Sequence, residues 1–149
     1  MGASKSSDPA AFRFFNEIGI IEQLARTRFD RVLPKSMTVA QFSVLNHFVR
    51  LGGERSLVEL ARAFQVSKPA MGKLVQRLGA QRLLALRGNP ADSRGKLVSL
   101  TARGAAARDA AIEALAPELA RLQRALGAEI FAASLDNLAR VRQWLDENR

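Results

Sequence analysis

Lys68, Ala70, Gly72, Lys73, Gln76 and Arg77 have the types and spacing to read a polyanion. At helical periodicity they share one face, opposite an apolar stripe of Met71, Leu74, Val75 and Leu78. A glutamine on such a face can pair bidentately with adenine, and a lysine or arginine can read guanine or hold a phosphate. Ala70 and Gly72 offer no side-chain hydrogen bonds. Their smallness suits close approach or contact with a thymine methyl. Further on, Asp92 and Arg94 sit in the run Gly88-Asn-Pro-Ala-Asp-Ser-Arg-Gly95. Arg94 is suited to a narrow minor groove, where negative potential concentrates. A carboxylate facing phosphate is unfavourable, so Asp92 reads as the orienter of Arg94 and as a turn former. Ser56, Ser67 and Lys96 are further phosphate-contact candidates.

This chemistry is non-covalent. The chain has no cysteine and no tyrosine, and His47 is its one histidine. Disulfides and thiolate metal sites are therefore excluded, and no nucleophile–base–acid arrangement or paired acidic cluster suggests an enzyme. No metal and no cofactor are expected. Charge placement supports the polyanion reading. Residues 62–104 carry nine basic side chains against one acidic, a net of +8 in a chain of net +9. A solvated surface scatters its signs, whereas this one concentrates them where a polyanion would dock.

The elements that must position these residues can be read from local signals. Ser56-Leu-Val-Glu59 is a capping box, and Leu57, Leu60, Ala61 and Phe64 follow at helical spacing. Gln65-Val66-Ser67 breaks the pattern. Ser67 caps a second helix with Pro69 in its first turn. Leu83–Arg87 and Lys96–Leu100 are strand candidates, and residues 88–95 read as the turn between them. A helix-turn-helix followed by such a hairpin is a winged helix, which predicts a mainly α fold with a small β-hairpin.

The flanks are helical. Residues 1–7 are small and polar, and read as a disordered tail. Asp8-Pro9 opens a helix to about Leu33, with Phe14, Ile18, Ile21, Ala25 and Phe29 on one stripe and Phe12 and Phe15 widening it. A second capping box, Thr38-Val-Ala-Gln41, starts a helix that runs to Gly52-Gly53. Thr101 caps a long helix whose Ile112, Leu115, Leu119, Leu122 and Leu126 have heptad spacing, and Pro117 is expected to kink or restart it. Gly127 marks a break. Phe131, Leu135, Leu138, Val141 and Leu145 form a last stripe ending near Glu147. The expected division is one domain over 8–149. Residues 36–101 form its winged helix, and arms at 8–34 and 102–148 bear apolar faces that a dimer would bury. No apolar run is long enough to span a membrane, and the start of the chain lacks a basic-then-apolar signal, so a cytoplasmic location is expected.

This order of parts resembles the MarR family of bacterial transcriptional regulators. The resemblance rests on Thr38-Val-Ala-Gln-Phe-Ser-Val-Leu45, on Leu60-Ala61 with Val66-Ser-Lys-Pro69, and on Asp92-Ser-Arg94 followed by Leu97-Val-Ser-Leu-Thr101 and Gly104. It implies a homodimer with two winged helices facing one DNA duplex. It also implies a repressor, released by a small aromatic or acidic molecule bound near the dimer interface. Phe15, Ile18, Phe42, Asn46 and His47 are the ligand-pocket candidates. Arg82 stands where the family often has glycine. The absence of cysteine excludes the thiol-oxidation mechanism of one branch of the family. The competing reading is an architectural or protein-interaction module that binds DNA without regard to sequence.

Overall fold

The computed structural model describes residues 7–149. In chain order its elements are α1 (Ala10–Val32), α2 (Val39–Leu51), β1 (Arg55–Ser56), α3 (Leu57–Ala63), α4 (Lys68–Ala80), β2 (Leu84–Asn89), β3 (Asp92–Leu100), α5 (Ala102–Leu126) and α6 (Ala128–Glu147). The fold is mainly helical with one small antiparallel sheet, a winged helix with helical flanks. Apart from Ser7, the expected tail lies outside the described residues. By its contacts the chain divides into two compact units, residues up to 114 and residues 115–149.

Local signals set the helix starts. The Thr38 hydroxyl accepts from the Gln41 amide at 3.2 Å, and the Gln41 side chain accepts from the Thr38 amide at 3.0 Å. Two orphan donors of α2 are thereby satisfied. At its other end Gly52 and Gly53 take φ of 64° and 73°, values that strain residues bearing a Cβ. Pro9, with no amide to donate, is the N-cap of α1. Pro117 does not restart the helix: α5 runs through it from Ala102 to Leu126. A proline removes one helical hydrogen bond, and the alanines, leucines and arginines around it are strong helix formers that carry the helix past the gap.

The core of the first unit lies among α2, α3, α4 and the sheet. Val44, Leu45, Phe48, Leu60, Met71, Val75, Leu78 and Val98 are its largest fully buried side chains. All but Val98, which is on β3, come from the apolar positions at helical spacing in α2, α3 and α4. Among the described residues neither α1 nor α6 buries a side chain fully. Phe12, Ile21 and Leu24 on α1 are 58, 59 and 69% exposed, and Trp144 on α6 is 62% exposed.

The sheet has the order β1-β3-β2. Arg87 of β2 faces Leu97 of β3, which faces Ser56 of β1. The hairpin is longer than expected. Its strands reach Asn89 and Asp92, and only Pro90 and Ala91 remain as the turn. Gly88 pairs with Lys96, and a register shift follows between Gly88 and Asn89. Glycine, asparagine and serine read as turn formers, but the ladder needs only their backbone groups.

Where α4 ends, the chain closes on itself. Leu83 N–H donates to Leu78 O at 2.9 Å and Arg82 N–H to Gly79 O at 2.9 Å. This is a Schellman closure with Arg82, at φ 60°, in the left-handed position where glycine is usual. Thr101 then ties the far end of the wing to this point. Its hydroxyl donates to Arg82 O at 2.7 Å, with Leu83 O at 3.0 Å, and its amide donates to Leu83 O at 3.2 Å. The same hydroxyl oxygen accepts from Gly104 N–H at 2.9 Å, capping α5. A Cβ on Gly104 would lie 2.0 Å from Leu83 O and 2.7 Å from Leu100 Cδ1. Glycine is therefore required for α5 to cross here.

Two opposite exchanges test this junction by urea denaturation. Gly104→Ala is expected to destabilise by about 3 kcal/mol through backbone overpacking. Arg82→Gly is expected to stabilise by about 0.5–1 kcal/mol, since it removes left-handed strain at the cost of extra unfolded-chain entropy.

Candidate nucleic-acid interface

The turn between α3 and α4 uses the same closure as the end of α4. Val66 N–H donates to Ala61 O at 3.0 Å and Gln65 N–H to Arg62 O at 3.1 Å, with Gln65 at φ 51°. The Gln65 side chain adds a 2.6 Å bond to Arg62 O. These bonds satisfy the last carbonyls of α3 and turn the chain sharply. Ser67 then starts α4, its hydroxyl accepting from the Ala70 amide at 3.2 Å, with Pro69 in the first turn. Ser56 plays the same part for α3, its hydroxyl accepting from Glu59 at 3.1 Å while the Glu59 carboxylate accepts from the Ser56 amide at 2.8 Å. Both hydroxyls retain a proton to donate.

Burial orients α4. Met71, Val75 and Leu78 face the core, while Lys68, Ala70, Lys73, Gln76 and Arg77 are exposed and Gly72 is half-buried. The structure thus brings the six expected reading residues onto one helix with the side chains open to solvent. A depression of about 410 Å³ lies over Gly72, walled by Lys68, Lys73 and Gln76 and backed by Leu57 and Pro69. A larger cleft of about 830 Å³ adjoins it, sharing Lys73 and Gln76 and reaching Ala70 and Arg77. Phe64, Val66 and Leu74 give it apolar walls, and Arg26, Ser43 and Arg77 supply polar ones. No motif marked Arg26, and Ser43, within the Thr38–Leu45 motif, carried no signal for this cleft.

The wing carries Asp92, Arg94 and Lys96, all exposed. Asp92 Oδ1 accepts from the Arg94 backbone N–H at 3.0 Å, and Asn89 Oδ1 accepts from the Ala91 N–H at 3.0 Å. Asp92 therefore orients Arg94 through the backbone, as an Asx turn does. Among the described residues no carboxylate pairs with the Arg94 guanidinium. Arg87 differs. Its Nε and Nη2 donate to Glu54 at 2.8 and 2.7 Å. Those hydrogen bonds hold the Glu54 carboxyl below its ordinary range. The pair is therefore intact at neutral pH and is lost only as pH falls through that lowered range. No local motif marked it, because its members are 33 residues apart. Gly79 was also unmarked as a contact: a Cβ there would lie 2.8 Å from Leu86 Cδ1 of the wing.

Comparison with known proteins agrees with this architecture. A MarR family model matches residues 35–95. The multiple antibiotic resistance protein MarR of Escherichia coli (strain K12) is 35% identical over 100 residues, covering 62% of this chain and 69% of that protein. The crystal structure of wild-type MarR (apo form) from E. coli superposes with a TM-score of 0.72 at 27% identity, covering 92% of this chain and 98% of that one. A structure of Bordetella bronchiseptica BpsR, described as showing how 6-hydroxynicotinic acid regulates its DNA binding, superposes with a TM-score of 0.65 at 26% identity. It covers 85% of this chain and 98% of that one.

The five ligand-pocket candidates lie on α1 and α2. Phe15 and Ile18 are exposed on α1, and Phe42, Asn46 and His47 are half-buried on α2. None of the five lines the cleft beside α4. The His47 ring packs on Phe64 at 5.2 Å and on Phe48 at 6.1 Å between centroids. Asn46 Oδ1 accepts from Arg108 Nε at 3.1 Å and Nη2 at 3.0 Å, tying α2 to α5. Asn46 thus has a structural partner, and Asn46→Ala leaves two donors of a part-buried guanidinium unsatisfied. Urea denaturation is expected to show a loss of about 1–2 kcal/mol. An unchanged midpoint would return Asn46 to the surface.

Proposed function

The chain belongs to the MarR family of transcriptional regulators, and from that premise we propose that it reads specific double-stranded DNA as a homodimer and acts as a repressor. The observation that carries this reading is the solvent-open face of α4, with Lys68, Lys73, Gln76 and Arg77 in reach of a major groove, beside a wing that presents an unpaired Arg94. Gln76 pairs with adenine, and Arg77 or Lys73 reads guanine or grips phosphate. Ala70 and Gly72 let the backbone approach, and Arg94 enters the minor groove with Asp92 fixing its backbone. Ser56, Ser67 and Lys96 hold phosphates. None of this is catalysis: the family is one of regulators, not enzymes.

The dimer reading is supported by the apolar side chains left open on α1 and α6. Large exposed apolar surface marks an association site. Two copies set the two reading helices roughly 34 Å apart, so the operator is pseudo-palindromic with half-sites one helical turn apart. A small aromatic acid releases the DNA, a reading supported by the ligand named for the Bordetella protein.

Selection from random duplex DNA at about 0.15 M salt, near physiological ionic strength, tests the proposal. The expected result is a palindrome with half-sites one turn apart. No motif, with binding that collapses steeply as salt rises, would favour the architectural alternative. Arg94→Ala is expected to weaken binding to the selected duplex about tenfold, within the range for one lost base or groove contact, without changing the thermal midpoint. Unchanged affinity would remove the wing from the mechanism.

A further inference from the structure

The hairpin loses its third strand just where it becomes a wing. β1 pairs with β3 only at Arg55↔Val98 and Ser56↔Leu97. The next rung outward, Gly88↔Lys96, has no β1 partner, and the register shift follows at once. From there to the Pro90–Ala91 turn the wing is a two-stranded ribbon, and such ribbons are marginal on their own. Its root is further softened by Gly88, which has no neighbour that a Cβ would meet.

The Glu54–Arg87 ion pair sits at that root. Arg87, Leu97 and Ser56 form one row across the sheet, and Glu54 lies two residues before Ser56. The bond therefore joins the chain entering one outer strand to the other outer strand, passing across β3. Both donor atoms of Arg87 engage the one carboxylate. Such a fork fixes direction as well as distance.

We propose that Glu54 is a positioning residue for DNA reading, its bidentate bond to Arg87 being a strut that fixes the angle at which the wing leaves the sheet and hence the place of Arg94. This rests on the DNA-reading role proposed above. The lever is short but sufficient. Three residues of strand put the tip roughly 10 Å beyond the root, so a swing of about 10° moves it about 2 Å. That displacement exceeds the tolerance of a hydrogen bond.

The sign of one substitution separates position from charge. Removing a carboxylate near a polyanion strengthens binding through electrostatics alone. If Glu54 is a strut, Glu54→Ala instead weakens binding to the selected duplex, by about fivefold, the scale of one misplaced contact. Its affinity for random duplex stays equal or rises, and its thermal midpoint is unchanged. Adding Arg94→Ala to Glu54→Ala costs less than Arg94→Ala does in the parent, because the two act through one contact. Glu54→Gln keeps an acceptor for Arg87 and is expected to bind nearer the parent. Equal or tighter binding of the selected duplex by Glu54→Ala would overturn the strut, as would Glu54→Gln binding no better than Glu54→Ala. A parent chain that selects no duplex would overturn the DNA-reading role itself, and the strut with it.

Discussion

The Leu83 carbonyl is the point on which the first unit's geometry depends. It receives both the amide and the hydroxyl of Thr101, and Gly104 passes against it without room for a methyl group. Four pieces of chain converge there: the end of α4, the start of β2, the end of β3 and the start of α5. The junction holds α4 at a fixed attitude to the wing beside it. The junction supplies that attitude with backbone groups and one hydroxyl, and therefore tolerates variation in the surrounding side chains but not a Cβ at Gly104. The Thr-x-x-Gly spacing after β3 is the sequence trace of this constraint.

Around that fixed point, electrostatics and packing are kept on separate faces. α4 turns its apolar stripe inward and its cations outward. The basic excess of residues 62–104 thus falls on a solvent-facing surface rather than in ion pairs with the core. Exposed ion pairs are usually weak contributors to stability. The Glu54–Arg87 bond is better understood by its direction than by its strength, since it withdraws one cation from the basic surface and sets it across the sheet.

Local signals were legible in the sequence, and long-range ones were not. Both capping boxes form as their spacing required, because a cap needs only a side chain and an amide three residues away. The apolar stripes of α2, α3 and α4 reported their buried faces for a similar reason. The wing's strands run further than turn-forming side chains suggest, because the backbones of Gly88, Asn89 and Asp92 pair regardless. At Pro117 the helix-forming neighbours outweigh the missing amide, and α5 does not restart there. The departure at Arg82 becomes intelligible only with its φ of 60°, which keeps the glycine-like turn without the glycine. For the candidate site, the division of α4 into a buried apolar stripe and an exposed basic face was legible as a periodicity. The Glu54–Arg87 bond, the Gly79–Leu86 approach and the cleft containing Arg26 and Ser43 all join distant parts of the chain, so no spacing rule could disclose them. Of the pocket candidates, His47 packs on Phe64 and Asn46 accepts from Arg108, contacts between distant parts of the chain that likewise leave no spacing signal.

The apolar side chains left open on α1 and α6 carry a consequence for gene dosage. A newly made chain displays them before a second copy is at hand, and exposed apolar surface invites aggregation and surveillance by chaperones and proteases. If a second copy covers them, as proposed above, the supply of the covered form obeys mass action. At scarce expression, halving the number of chains lowers the paired form about fourfold. Under such scarcity, occupancy of any site that needs the paired form would change more than in proportion to the protein level, a steepness set by the helical arms and not by the wing.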